Sequence, residues 1–204
     1  MSDAPRSQNA PPGARPQGLS APSPWVLRFA GRVPEAGPVL DLACGRGRHT
    51  RLFLARGHPV TAVDRDLSGI ADLTGAAGGA AGGAPGGAPG LEALEADLED
   101  GRPFPLTGRR FAGVVVTNYL YPPLFPALVA AVAPGGVLIY ETFARGNERF
   151  GRPRKPDHLA KPGELLEAVR GKLRVVAYED LIDQTPKPAA RQRLCAVNER
   201  AGES

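Results

Sequence analysis

Apolar residues in this chain gather in short runs of four to seven, and several of these runs close on an acid or an amide. Val39-Leu40-Asp41-Leu42 is followed by two glycines in a short turn, Val60-Thr61-Ala62-Val63 ends at Asp64, and Phe111–Thr117 ends at Asn118. Residues 137–142 form a fourth such run, with Glu141 near its end. Their length and β-branched content predict buried strands.

Amphipathic stretches lie between the runs. Ser23 suits an N-cap and Pro24 the first helical position, ahead of Trp25, Val26, Leu27 and Phe29. A helix over 48–56 is closed by Gly57, a short helix is expected from Ser68 through Leu73, and an apolar helix spans 124–132. The turn Ala133-Pro134-Gly135-Gly136 precedes the strand at 137. Residues 162–171 read as a helix with proline at its start and glycine past its end. Residues 173–181 and 193–197 read as the two final strands. The stretch Leu91-Glu92-Ala93-Leu94-Glu95-Ala96-Asp97-Leu98 favours helix by residue type. It is taken as a third strand ending near Asp97, because the alternation around it demands one.

Strands alternating with helices predict an α/β fold, a Rossmann-like doubly wound sheet that is mostly parallel. Ligands of such sheets lie outside the carboxyl ends of the strands. That rim collects Asp41, Asp64, Asp97, Asn118 and Glu141. The strand–glycine-loop–helix at Gly45-Arg46-Gly47 would present free backbone N–H groups beside glycines that let a ligand approach the main chain. An acid beside that loop suits amino groups and sugar hydroxyls, and repels a bare phosphate. A dinucleotide fingerprint would need a third glycine where Thr50 stands.

Composition then narrows the organisation. The chain has 204 residues, a formal net charge of +4 and a pI near 9.4. That length suits one α/β domain. Residues 1–20 are rich in Pro, Ala, Gly, Ser and Gln, and are expected to be a disordered tail ahead of a single domain over 21–204. The Gly/Ala/Pro tract at 75–90 is expected to be a flexible surface insertion. Two cysteines and three histidines make neither a disulfide framework nor a zinc-like spacing, so no metal is expected. No apolar run is long enough for a membrane span and the N-terminus lacks a signal-like apolar region, so a cytoplasmic protein is the expectation. The mild basicity permits an anionic partner and does not demand nucleic acid.

Asp41-Leu42-Ala43-Cys44-Gly45-Arg46-Gly47 resembles motif I of the class I S-adenosylmethionine-dependent methyltransferases, an acid three residues before a Gly-x-Gly. Ala133-Pro134-Gly135-Gly136-Val137-Leu138 is similar to that family's turn before its fifth strand. Tyr140-Glu141-Thr142-Phe143, Gly146-Asn147 and Lys161-Pro162-Gly163-Glu164-Leu165 resemble the small bacterial tellurite-resistance-type methyltransferases. The resemblance implies a seven-stranded sheet with an antiparallel last strand, and S-adenosyl-L-methionine as cofactor. It implies that Gly45 and Gly47 let the methionine part lie against the backbone, with Cys44 packed as a small side chain in the same cofactor-binding loop, and that Asp41 orients the turn or the amino group. Asp64 would accept from the ribose hydroxyls, Asp97 from the adenine amine, and Leu98 would face the ring edge. Asn118 would sit near the methyl donor and the substrate. One departure is Ala112, where many relatives carry an acid.

Such an enzyme aligns donor and acceptor in a dry pocket and needs no protein nucleophile. Candidate catalytic residues are Asn118, Tyr119 and Glu141, with Tyr121, Tyr140, Phe143 and Arg145 as further substrate-side candidates. A small-molecule acceptor, with an anion as one option, is expected. The basic loop Arg145, Arg149, Arg152, Arg154 and Lys155 reads as a solvated surface, and leaves an RNA or protein acceptor open. A module that binds the cofactor without turnover is a further alternative. Oligomeric state is not written in the sequence.

Overall fold

The protein is described here by a computed structural model covering residues 18–75 and 87–200. The expected tail up to residue 17 and the centre of the expected insertion lie outside the described residues. The last three residues of that expected tail, 18–20, are placed, and run beside the glycine loop.

Seven strands form one sheet: β1 (Val39–Leu42), β2 (Val60–Asp64), β3 (Leu91–Glu95), β4 (Phe111–Thr117), β5 (Val132–Phe143), β6 (Arg174–Asp183) and β7 (Ala189–Val197). Their order across the sheet is β3-β2-β1-β4-β5-β7-β6. Neighbours from β3 to β5 pair parallel, and β7 runs antiparallel to both β5 and β6. The expected sheet with a single reversed last strand is therefore found. The chain order reverses at β1, so the loops after β1 and β4 diverge and leave a crevice at their carboxyl ends.

Among the described residues four α-helices cover the faces: α1 (Pro24–Phe29), α2 (Arg48–Ala55), α3 (Phe125–Ala131) and α4 (Glu164–Val169). Alternate side chains of the same strands feed two cores, as strand geometry requires. Leu40, Leu42, Val114, Val116, Leu138 and Tyr140 join Leu128, Leu165 and Val169 on the α3–α4 face. Val39, Val115, Val137 and Ile139 join Trp25, Phe29 and Phe53 on the α1–α2 face. Ser23 caps α1 through its hydroxyl, which accepts from the Trp25 N–H, and Trp25 Nε1 donates to the Leu194 carbonyl at 3.2 Å. The N-terminal helix is thereby pinned to the last strand.

Two local expectations need correction. The segment from Ser68 is a 3-10 turn over Leu67–Ile70, capped by Asp66 through the Ser68 N–H, because Gly69 weakens an α-helix. The turn at 133–136 is absorbed into β5 as an irregularity: Phe111 pairs with Val132, but Gly113 already pairs with Val137. Gly135 has φ 78° there and donates its N–H to the Asn198 carbonyl. The stretch around Leu91 is a strand in spite of its composition, because β2 offers it a ladder over all five residues.

Candidate active site

The loop after β1 is held by carboxylates from below and from the side. Asp41 is 1% exposed and lies beneath the loop, not in the crevice. It accepts the Thr50 hydroxyl at 2.6 Å, at the first turn of α2, where the helix dipole favours an anion. Burial pushes its pKa up to about 6, with the Thr50 bonds acting the other way. Asp64 lies beside the loop and is partly exposed. One of its oxygens accepts the Gly45 N–H at 2.8 Å and the other the Asp66 N–H at 3.2 Å.

The loop's shape depends on unusual backbone. Gly45 and Gly47 have φ of 55° and 70°, and Ala43 adopts φ 52° without being glycine. A Cβ on Gly45 would meet nothing within 4 Å, so that face is open, whereas one on Gly47 would lie 2.4 Å from the Ile70 side chain. Sequence reasoning missed Gly69. A Cβ there would sit 2.6 Å from the Gly45 carbonyl oxygen, so this glycine lets the turn after β2 press against the loop after β1. Its signal was only a glycine beside an otherwise apolar pair.

A cleft of about 290 Å³ is lined by Ser20, Ala43, Cys44, Gly45, Arg48, Thr117, Asn118 and Tyr119, among others. It gathers Cys44, Gly45, Asn118 and Tyr119 from the expected site residues. Asp97 and Leu98 line a second hollow of about 200 Å³ with Glu95, Arg102 and Phe104. Asp97 is exposed and accepts the Glu99 N–H at 2.9 Å. Tyr119 stands between the two hollows: its hydroxyl is buried without a hydrogen-bond partner, and burial, with Glu99 and Asp97 nearby, pushes its pKa up. The Tyr140 hydroxyl donates to the Tyr119 carbonyl at 3.1 Å and fixes this segment from beneath.

Asn118 sits at φ 56° at the end of β4, its N–H donating to the Glu141 carbonyl. Its Oδ1 accepts from Arg191 Nη1 at 2.9 Å. Arg191 was not singled out by the sequence. Arginine has no acceptor, so the Asn118 amide is oriented with its NH2 as the group left free to donate. Arg191 also stacks on Phe143, 4.2 Å from the ring centroid, and lies 3.3 Å from Asp183.

Glu141 is placed away from that cleft. It is 4% exposed and accepts from Arg193 Nε at 2.7 Å and from the Ser23 hydroxyl at 3.1 Å, with Arg191 at 3.5 Å. Arg193 continues to Glu179 at 3.0 Å and to Asp183. The network was invisible locally, because its members come from residues 23, 141, 179, 183, 191 and 193. His49, in the first turn of α2, is buried. Its Nε2 accepts the Ser23 N–H at 3.0 Å and Nδ1 lies 3.3 Å from the Thr117 hydroxyl, which fixes the proton on Nδ1. Burial holds its pKa down near 3, and Arg48 adds to that.

The basic side chains Arg145, Arg149, Arg152, Arg154 and Lys155 are all exposed, with Arg149 stacked on Phe150. Among the described residues no group of His, Cys, Asp and Glu could hold a metal ion, and no helix is long and apolar enough to cross a membrane.

No protein-family model matches the chain. A stretch of 141 residues, 66% of the chain, is 33% identical to trans-aconitate 2-methyltransferase of Rhizobium meliloti (strain 1021). It spans 45% of that protein, so the chain covers somewhat under half of this relative's length. TehB from Haemophilus influenzae superposes with a TM-score of 0.64 at 14% identity, covering 85% of this chain and 61% of that one. The 1,6-didemethyltoxoflavin-N1-methyltransferase of Burkholderia thailandensis, solved with 1,6-didemethyltoxoflavin and S-adenosylhomocysteine, gives 0.61 at 20% identity, covering 86% and 77%. An S-adenosylmethionine-dependent methyltransferase from Mesorhizobium loti gives 0.61 at 18% identity, covering 83% and 95%. The chain has the fold of the S-adenosylmethionine-dependent methyltransferases.

Proposed function

We propose that this protein is an S-adenosylmethionine-dependent methyltransferase that acts on a small anionic acceptor. The observation that carries the reading is the pairing of Asp64 with the Gly45 N–H beside an open glycine face. A carboxylate has about four lone-pair sites, and Asp64 uses two of them on the backbone, leaving two for the hydroxyls of a ribose. The same carboxylate at the loop mouth disfavours a pyrophosphate. The open face over Gly45, beside Cys44, leaves room for the amino-acid tail, and Asp41 supports the turn from beneath by holding Thr50 and the start of α2. Asp97 and Leu98, which line one hollow, would hold the adenine.

When bound, the cofactor supplies a sulfonium-activated methyl group that an acceptor nucleophile displaces in line. The chain's own residues bind, orient and exclude water, which by alignment alone is worth several kcal/mol. Asn118, set by Arg191, offers its NH2 to an acceptor oxygen at the cleft. Arg48 lines the same cleft. The Arg48 guanidinium and the Asn118 amide, lining one cleft, suit a carboxylate or another oxyanion. The relative whose name specifies trans-aconitate, itself a polycarboxylate, supports the same acceptor class.

Calorimetric titration with S-adenosylmethionine and S-adenosylhomocysteine tests the cofactor: binding of both is expected, and binding of neither would end the reading. Labelled-methyl transfer over carboxylic acids, chalcogen oxyanions, thiols, amines and tRNA then tests the acceptor. Transfer to acids or oxyanions that is lost in Arg191→Met supports the anionic class. Transfer to tRNA that weakens steeply with salt would replace it with an RNA acceptor.

A further inference from the structure

The strand β6 lies at one edge of the sheet, paired through one side only, to β7. Such a strand offers a row of unpaired N–H and C=O groups, which chains that must stay monomeric blunt with lysine or other charges, proline, bulges or very short length. Here β6 is ten residues long with neither Lys nor Pro; its charges Arg174, Glu179, Asp180 and Asp183 are of both signs, and its bulge at Val176 lies toward one end. The opposite edge, β3, is five residues long and carries Glu92 and Glu95. Five large apolar side chains are exposed among the described residues, and three of them, Val175, Leu181 and Ile182, belong to β6.

We propose that β6 pairs antiparallel with β6 of a second copy of this chain, across a two-fold axis at Glu179, joining the two sheets into one. The strand is complementary to its own reverse. Its ladder with β7 skips one residue between Val175 and Ala177, so Val176 is the bulged residue and occupies no ladder position of its own. With that bulge counted, reversing the strand about Glu179 sets Arg174 opposite the second copy's Asp183, Val175 opposite Ile182, Ala177 opposite Leu181, and Tyr178 opposite Asp180. Partners across β7 assign the faces. Val175 and Ile182 pair with Ala196 and Ala190, Arg174 and Asp183 with Val197 and Ala189, and each set lies on one side of the sheet. Every opposed pair in the proposed register therefore points to the same face, as a continuous sheet requires.

The chemistry of the pairs agrees with the register. Two apolar pairs and one opposite-charge pair recur on each side of the axis, each pair type being a stabilising cross-strand neighbour. At the axis Glu179 meets its own copy, and each Glu179 already has Arg28 at 3.3 Å and a share of Arg193 at 3.0 Å, which also holds Glu141 and Asp183, so the compensation at the axis falls chiefly to the two exposed Arg28 side chains. A second copy also explains why apolar side chains at the rim of the sheet are left without cover from α1 or α4.

Sedimentation velocity on the full chain tests this without any appeal to methyl transfer. A dimer is expected at roughly 100 μM. Leu181→Lys with Ile182→Lys places charges opposite Ala177 and Val175 and is expected to weaken association by at least about tenfold, with the thermal melt unchanged at dilutions where both proteins are monomers, because both positions are exposed. Leu27→Lys, at an exposed apolar site on α1, is expected to leave the dimer intact. Val175→Cys with Ile182→Cys is expected to give a covalent dimer on mild oxidation, beyond what either single variant gives, since the native Cys44 and Cys195 are buried. A monomeric wild type, a dimer that persists in the lysine variant, or no excess cross-linking in the double cysteine variant overturns the proposal.

Discussion

Asp64 and Glu141 stand toward the carboxyl ends of β2 and β5, and they are used in opposite ways. Asp64 is partly exposed, bonds only to backbone N–H groups, and keeps lone pairs free. Glu141 is buried and its oxygens are taken by Ser23, Arg191 and Arg193. The β1–β2 side of the rim therefore keeps carboxylate lone pairs without a partner from the protein among the described residues. The β5–β7 side is finished by the protein itself, and holds Asn118 and the N-terminal segment in place for the first side. A carboxylate on this rim is informative about ligands only after its partners are known.

The difference is sharpest in what removing one side chain does. Arg193→Ala removes the closer cation from Glu141 and Asp183 and leaves them only Arg191, at 3.5 and 3.3 Å, and losing hydrogen bonds between charged groups costs about 1.5–3 kcal/mol. Urea unfolding is expected to show a loss of that size. A loss under about 1 kcal/mol would mean that the network is solvated and that the two sides are not different in kind. Asp64→Ala is expected to do the reverse, weakening S-adenosylmethionine binding more than tenfold by calorimetry, through loss of charge-assisted hydrogen bonds, while unfolding changes little. Unchanged affinity in a folded variant would remove Asp64 from the site. Gly69→Ala is expected to act on the same side, because its methyl would press on the Gly45 carbonyl and displace the loop. Its binding loss should accompany only a modest drop in melting temperature.

A smaller effect separates the two buried titrating groups beneath the rim. Asp41, raised to about 6, binds its proton more tightly folded than unfolded, so its contribution is present below about pH 4 and is lost as pH rises through about 6. His49, held near 3, binds its proton less tightly when folded, so stability is lost as pH falls from about 6.5 toward 3. Between roughly pH 4 and 6 the two slopes oppose and largely cancel. His49→Gln is expected to unmask Asp41, so that stability relative to wild type falls with rising pH in that window by up to about 1.4 kcal/mol per unit. A parallel profile in the variant would show that His49 does not titrate as its burial demands. The smallest effect belongs to the exposed pair Arg109–Glu92, where Arg109→Gln should change stability by less than about 1 kcal/mol.

Much of the β1–β2 side was legible along the chain. A strand, two glycines and a helix start are consecutive, so Gly45, Gly47 and α2 follow from local chemistry, and Asp64 follows from the next apolar run. The register that draws Asp64 onto the Gly45 N–H was not local, nor was the close approach of Gly69. The placement of Glu141 in an ion network was hidden altogether. Nothing near residue 141 tells that Arg193 lies opposite it in β7, or that Ser23 reaches it from 118 positions away. The stretch around Leu91 shows the same limit for secondary structure, where a ladder with β2 outweighed the composition.

By itself the sequence determined the alternation of strands and helices, the glycine loop and the polar character of the rim, because periodicity, turn chemistry and capping act over a few residues. The tertiary structure alone decided which rim carboxylates keep exposed lone pairs and which are silenced by arginine. That choice depends on antiparallel pairing and burial, and both are fixed only when distant segments meet and water leaves the space between them.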